Sequence, residues 1–596
     1  MNGTIAHLAV AGAALFFVAV TGVPRASAGD AAESAKLHDI FDREWKSRLA
    51  EDPLLATSVG VHDSDGLLPS ITDADLARRD GTWTQYAAEV DAIDPAKLDE
   101  ADRVNLDIFR AQLRERIDDY RFGAHQIPFN ADSGFYSSFS RLPEDVPLRT
   151  SADYRNYISR LRAWPGYVDQ QIAHMRAGLA RGMTQPRAVL DGIDRVIGAH
   201  VVDAPEKSVF FGPLGAFPSS VAQTDRAALE RDGKAAIMDA VVPAYARLRD
   251  FMLEEYIPGA RATLGASGLP DGTGYYASQI RVYTTLEMTP REIHDLGLSE
   301  VARIRQGMDE VIRRVGFEGS FAGFLEFLRT DPRFYAKSAD ELLMRAAWIA
   351  KTMDGKLPSL FGTLPRLPYT VEPVPDDIAP KYTSGRYVNA PIGSTKPGIY
   401  WVNTYSLDKR PVYNLEALTL HEAVPGHHLQ IALNQELGEL PPFRRYSYIS
   451  AFGEGWGLYS EWLGIEAGLY KDPYSEFGRL TYEMWRACRL VVDTGIHAFG
   501  WTREQALDYL ASNTALPLLE VRTEIDRYIS WPGQALAYKI GELKIRELRR
   551  RAEEALGTSF DLRAFHDAVL RNGSVPLGVL EAIINGWIAE RAGDRE

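Results

Sequence analysis

The chain has 596 residues, 45% of them hydrophobic and 25% charged, the composition of a soluble globular protein. That excludes a disordered tail, a collagen-like fibre and a polytopic membrane protein. With 66 Lys+Arg against 81 Asp+Glu, the net charge of −15 repels phosphate backbones and argues against nucleic acid as a partner.

Residues 1–28 read as a secretory signal peptide. An apolar run from Leu8 to Val23 leads to Ala26-Ser27-Ala28, the small-x-small form of a cleavage site. The run is too short for a comfortable transmembrane helix. No cysteine directly follows the cleavage site, so no stable membrane anchor is expected after cleavage. The expected location is secreted or periplasmic. The single cysteine, Cys488, excludes an intrachain disulfide and a cysteine-rich metal site. Stability must come from a large core.

The recurring pattern along the chain is helical. Between Ala101 and Tyr120, the residues Leu106, Phe109, Leu113, Ile117 and Tyr120 fall at steps of three and four, one apolar face of a helix. Loops are expected over Ile127 to Arg149 and Pro258 to Gly274, which are rich in Gly, Pro, Ser or Asp. Helix starts are signalled by Thr289-Pro290-Arg291-Glu292, Ser338-Ala339-Asp340-Glu341 and Thr502-Arg503-Glu504-Gln505, each with the form of a capping box. Between Leu364 and Asn403 prolines are frequent and three β-like runs appear: Tyr369 to Val374, Arg386 to Asn389 and Ile399 to Asn403. They predict a small sheet in an otherwise α-helical protein, the first run being an edge or irregular strand. A division near Ile280 separates an N-terminal helical half, 29–280, from a C-terminal catalytic half, 281–596, which could equally form one continuous domain.

The chemistry concentrates in His421-Glu422-Ala423-Val424-Pro425-Gly426-His427-His428-Leu429-Gln430, which holds three of the twelve histidines. It resembles the zinc-protease helix, in which two imidazoles on one face bind metal and the glutamate beside the first polarises a water. The usual second histidine, four residues on, is replaced by Pro425. His428, seven residues on, returns to the face of His421 but about 10 Å along a straight helix; His427, six residues on, falls at about 240°. Pro425 and Gly426 permit a kink that absorbs two inserted residues. His427 is therefore favoured, with His428 the competing ligand. Downstream, Glu454 and Glu461 lie seven residues apart, on one side of a helix. Glu454 can complete a His/His/Glu set with an open fourth position, and Glu461 can orient an imidazole through its other nitrogen. The flanking Trp456, Tyr459 and Trp462 mark this helix as largely buried, so its acids need a cation.

The segments His421 to Gln430, Glu454-Gly455-Trp456…Tyr459…Glu461 and Pro532-Gly533-Gln534-Ala535…Tyr538-Lys539 together resemble a bacterial family, domain of unknown function 885. Asp52-Pro53…Ala56-Thr57, Gly268-Leu269-Pro270-Asp271-Gly272 and Val492-Asp493-Thr494-Gly495-Ile496-His497 extend the likeness over about Phe41 to Trp587. The resemblance implies a zinc hydrolase, similar to the thermostable-carboxypeptidase, oligopeptidase and angiotensin-converting-enzyme groups. It also implies a mainly α, two-lobed helical bowl with a deep groove. Related enzymes bring an oxyanion-stabilising tyrosine from a late helix, which makes Tyr538 and Tyr528 candidates here; His497 is a weaker one.

The expected reaction is cleavage of a peptide amide by metal-activated water, with Glu422 as general base. One zinc ion is expected, though manganese or cobalt also suits imidazole and carboxylate. Arg489, Arg522 and Lys539 are candidates for a substrate carboxylate, and the strand Ile399 to Asn403 for pairing with peptide backbone. The partner is a peptide or a small amide. Two alternatives use the same residues: hydrolysis of non-peptide amides or esters, and a non-catalytic, metal-binding helical protein.

Overall fold

The computed structural model describes residues 30–376, 378–392 and 395–593. The expected signal peptide, 1–28, lies outside the described residues. The protein is mainly α-helical with one small three-stranded sheet, as the periodicity predicts. Among the described residues, no helix is long and apolar enough to cross a membrane.

The helices that frame the structure begin and end on local chemistry. α1 (Ala31–Glu51) starts at the Asp30 carboxylate. The apolar face around Leu106 and Phe109 becomes α2 (Glu100–Phe122), which Asp99 caps and Gly123 ends in the left-handed conformation, a turn that favours glycine. The expected loop from Ile127 to Arg149 also carries two short helices, Phe135–Ser140 and Leu142–Asp145. α3 (Ser151–Arg181) opens with a capping box at Thr150, and α4 (Pro290–Arg314) with the one predicted at Thr289. Thr502 and Gln505 cap reciprocally as expected. At Ser338 only half the box forms, because Glu341 accepts from the Lys337 amide instead.

Two large apolar cores and one N-terminal core hold the helices together. The N-terminal core runs from Phe129 to Ala260 and centres on α3, where Trp164 stacks on Phe139 at 3.8 Å. A second core crosses residue 280. Phe41 of α1 and Phe109 of α2 meet Phe443 at 4.7 and 4.9 Å, and the same cluster continues to Trp456 and Trp587.

The sheet comprises β1 (Tyr369–Pro373), β2 (Gly385–Val388) and β3 (Gly398–Val402) in the order β1-β3-β2. β1 runs parallel to β3 and β2 antiparallel. β3, expected as the strand that pairs with peptide, is the central strand, with its hydrogen bonds committed on both sides. The free edge facing the cavity described below is β2.

After the sheet come α5 (Leu415–Glu422), α6 (His427–Glu436), α7 (Ser450–Leu463), α8 (Pro473–Phe499), α9 (Leu518–Ser530) and α10 (Ala537–Leu556). α8 is buried nearly throughout, yet it carries Arg479, Glu483, Arg486, Arg489 and Asp493. Buried charges persist only when paired. Lys539 of α10, expected at a substrate site, supplies one such pairing instead. Its ammonium is fully buried, 3.1 Å from Glu300 of α4, 3.0 Å from Glu483 of α8 and 2.9 Å from Glu542. Burial opposes the charge of Glu483, but Lys539, Arg479 and Arg303 hold its pKa well below the ordinary carboxylate value.

Lys539 therefore clamps three helices. Removing it leaves three acids facing one another out of water. Lys539→Ala is expected to lower stability by about 3–5 kcal/mol in denaturant titration. A loss of under about 1 kcal/mol, the range of an exposed pair, would contradict that placement.

Candidate metal centre

The candidate metal ligands arise where α5 stops and α6 starts. α5 ends at Glu422, and the residues 423–426 turn the chain before α6 begins at His427. Pro425 has no amide hydrogen to continue the helix, and the Trp456 indole donates to its carbonyl at 2.7 Å. Gly426 is required by space: a Cβ there would lie 1.9 Å from the His421 carbonyl oxygen. The turn absorbs the two additional residues and restarts the helix with His427 beside His421. Their rings are 4.7 Å apart and nearly perpendicular.

α7 supplies the acids. The Glu454 carboxylate is 3.4 Å from Nε2 of His421 and 3.5 Å from Nε2 of His427. One turn pair further along, Glu461 accepts from Nδ1 of His421 at 2.8 Å. That bond fixes the tautomer and turns Nε2 towards Glu454. Gly457, between the two acids, permits the contact, since a Cβ would meet the His421 ring at 2.7 Å. His428 points elsewhere: its Nδ1 meets the Tyr387 hydroxyl at 3.0 Å and its Nε2 the Leu367 carbonyl at 3.1 Å. Of the two competing histidines, the structure brings His427 to the cluster.

The donor set fits zinc. Bond lengths of about 2.0–2.2 Å in a tetrahedron separate neighbouring donor atoms by roughly 3.3–3.6 Å, a range that includes both distances to Glu454. All three donor atoms lie within 4.8 Å of one another. Burial disfavours the His421 cation, yet Glu454, Glu461 and Glu422 outweigh it and push its pKa up to about 10. Burial likewise opposes the Glu454 anion, but the two imidazoles hold its pKa well below the carboxylate range.

The cluster opens into a cavity of about 2580 Å³, lined on one side by the N-terminal core at Phe135, Trp164 and Tyr167 and on the other by β2 and the helices after it. Glu422 lines it, with one carboxylate oxygen accepting from the Tyr387 amide of β2 at 2.8 Å. Tyr538 lines it too, and its hydroxyl makes no hydrogen bond to the described residues. Arg489 is in the wall.

The other expected site residues lie outside this lining. Tyr528 is buried behind it, its hydroxyl receiving Arg489 Nε at 2.8 Å and Trp485 Nε1 at 2.9 Å. His497 bridges the Ala266 amide and the Tyr528 carbonyl, and burial pushes its pKa down to about 3; it is a core histidine. Arg522 is exposed on α9, on the face opposite Glu520 and Glu524, because two residues turn a helix by about 200°.

Four neighbours escaped the sequence. Tyr448 donates to Glu454 at 3.4 Å, Tyr387 anchors Glu422, Arg386 of β2 lines the cavity, and Arg486 sits 3.3 Å from Glu461. Only Arg486 had a signal. Arg479, Glu483, Arg486 and Arg489 repeat at steps of four and three in an otherwise apolar helix, so their charges face one buried stripe.

The fold and the site define a helical protein with a largely buried His/His/Glu cluster lining a large cavity. Residues 53–584 match the family described as bacterial protein of unknown function, DUF885, and the chain belongs to that family. It is similar to a crystal structure of a candidate lipoprotein from Colwellia psychrerythraea, with 31% identity, a TM-score of 0.87, and coverage of 94% of this chain and 99% of that one. A candidate lipoprotein of unknown function from Shewanella oneidensis is 16% identical with a TM-score of 0.69, covering 93% and 100%, a likeness of fold alone. No curated protein matches.

Two measurements test the cluster. His427→Ala is expected to abolish stoichiometric zinc and His428→Ala to retain it, while Glu461→Gln weakens zinc binding about 10–100-fold; equal zinc in both histidine variants would refute the ligand set. The metal-free protein should also respond to pH. The folded His421 pKa lies above its ordinary 6.5, so the charged ring stabilises fully below about pH 6.5, and this is lost as pH rises through about 10. Metal competes with that proton. Melting temperature without metal should therefore fall, and zinc affinity rise, between pH 7 and 10. A flat affinity profile would contradict the assignment.

Proposed function

We propose that the protein is a metal-dependent hydrolase that cleaves peptide amide bonds. The observation carrying this reading is Glu422. It directly follows a candidate ligand, faces the cavity, and is tethered through only one oxygen. A structural metal site needs no such base.

A zinc ion held by His421, His427 and Glu454 would supply Lewis acidity and lower the pKa of a water to about 7. The residues of the chain do the rest. Glu461 holds the His421 ring in register through Nδ1. The Tyr387 amide holds the Glu422 carboxylate at the cavity wall, leaving its other oxygen to take a proton from the attacking water and hand it to the departing nitrogen. Tyr538 and Tyr448 both line the cavity, where a phenol hydroxyl can stabilise a developing oxyanion. The edge of β2 offers an extended substrate a strand to lie against.

Ester or non-peptide amide hydrolysis would use the same groups. Export belongs to the same reading: the 31%-identical neighbour is described as a candidate lipoprotein, and residues 1–28 carry the pattern of a secretory leader.

Glu422→Gln is expected to keep zinc and lose about 10²–10⁴-fold in turnover on a mixed peptide library, and chelation to abolish turnover in the parent. If the variant cleaves as fast as the parent, the mechanism fails.

A further inference from the structure

One wall of the cavity is built from cations whose hydrogen-bonding capacity is incompletely used. Arg486 and Arg489 of α8 and Arg527 of α9 all line it. Each has a buried nitrogen without a hydrogen-bond partner: Nε of Arg486, Nη1 of Arg489 and Nε of Arg527. Buried donors in native proteins are almost always satisfied, so the protein's own acceptors run short along this wall.

The charges there are unequal. Arg486 is matched by Glu461 at 3.3 Å. Arg489 and Arg527 share one carboxylate, Glu524, at 2.9 and 3.5 Å. One positive charge therefore remains without a full counter-ion. Glu520, the other acid on this wall, forms no ion pair or hydrogen bond with the described residues; burial and the charge of Glu524 push its pKa up to about 7, so its cancellation is incomplete.

The geometry is rigid. Arg489 is 2% exposed, with its guanidinium 4.4 Å from the Trp485 ring centre and 4.3 Å from that of Tyr538. Tyr528 and Glu524 hold two of its nitrogens. A planar guanidinium clamped between rings is preorganised for a planar anion, and carboxylate matches its fork. Tyr538, both arginines and the His421–His427–Glu454 cluster line one cavity, so a ligand within it can reach both.

We propose that Arg489 and Arg527 form a carboxylate-binding subsite, and that the substrate of the His421–His427–Glu454 centre carries a free carboxylate held there. The second half rests on the hydrolase reading; the subsite itself does not. The carboxylate belongs to a peptide C-terminus or to an acidic side chain, and the two are separable by experiment.

The test uses the zinc-loaded Glu422→Gln full chain, so that binding is read without turnover. Three probes are compared by calorimetry: acetyl-tetra-alanine as free acid, the same peptide as its amide, and an amidated analogue with Asp replacing one Ala. The free acid, the Asp analogue or both should bind at least about tenfold tighter than the plain amide, consistent with one charge-assisted contact. Which of them does so identifies the source. In the same background, Arg527→Gln and Arg489→Lys should bring the acid-to-amide ratio towards one. Both variants should bind the plain amide as their background does, which separates a lost subsite from a loosened wall. Equal affinity for all three probes, absent binding of all three, or a preference that survives both arginine variants overturns the subsite. If the preference holds while the parent enzyme cleaves no peptide, the subsite stands and the hydrolase reading falls.

Discussion

The site depends on one imidazole gripped from both sides by a single helix. Glu461 takes Nδ1 of His421 and Glu454 faces Nε2, and both acids stand on α7. Two carboxylates seven residues apart on a rigid helix fix the ring in position and tautomer. His427 then needs only to arrive beside it. The turn at 423–426 makes that possible, and Gly426 and Gly457 are the two places where any side chain would block it.

Holding so many charges out of water demands compensation throughout the surroundings. α8 passes behind the site with acids and bases buried along its length. The half nearer its start is neutralised by the internal pair of Arg479 with Glu483 and by Lys539 and Arg303 from neighbouring helices, which makes it a scaffold. The half nearer the cavity is less fully matched, through Arg486 and Arg489. The same device, a charged stripe on a buried helix, thus serves stability at one end and lines the cavity with paired but incompletely hydrogen-bonded arginines at the other.

Much of the fold was legible in the residues. Local rules, meaning apolar periodicity and capping chemistry, located the long helices and the small sheet, because those elements are decided by near neighbours. The strand order was not legible. β3 pairs with a distant parallel strand across the sheet, and nothing in its own five residues distinguishes a central strand from an edge. For the same reason Lys539, His497 and Arg522 were grouped with the site: a charge or imidazole near a motif looks the same whether it faces a cavity, a core or solvent. Tyr448 and Tyr387 carry no pattern at all: Tyr448 reaches Glu454 with its hydroxyl from a loop, and Tyr387 reaches Glu422 with its backbone amide from β2.

The sequence by itself determined that this is a helical chain with a His-Glu pair, a second histidine cluster past a helix-breaking proline, and two acids on one helical face. Those follow from spacing and from the chemistry of proline and glycine, which act within a turn or two. Only the tertiary structure decided between His427 and His428, turned β2 rather than β3 to the cavity, and separated the arginines that line it from the lysine that stabilises the core. Each of those choices depends on which surface a side chain meets across hundreds of residues, and that is set by packing, which no local pattern encodes.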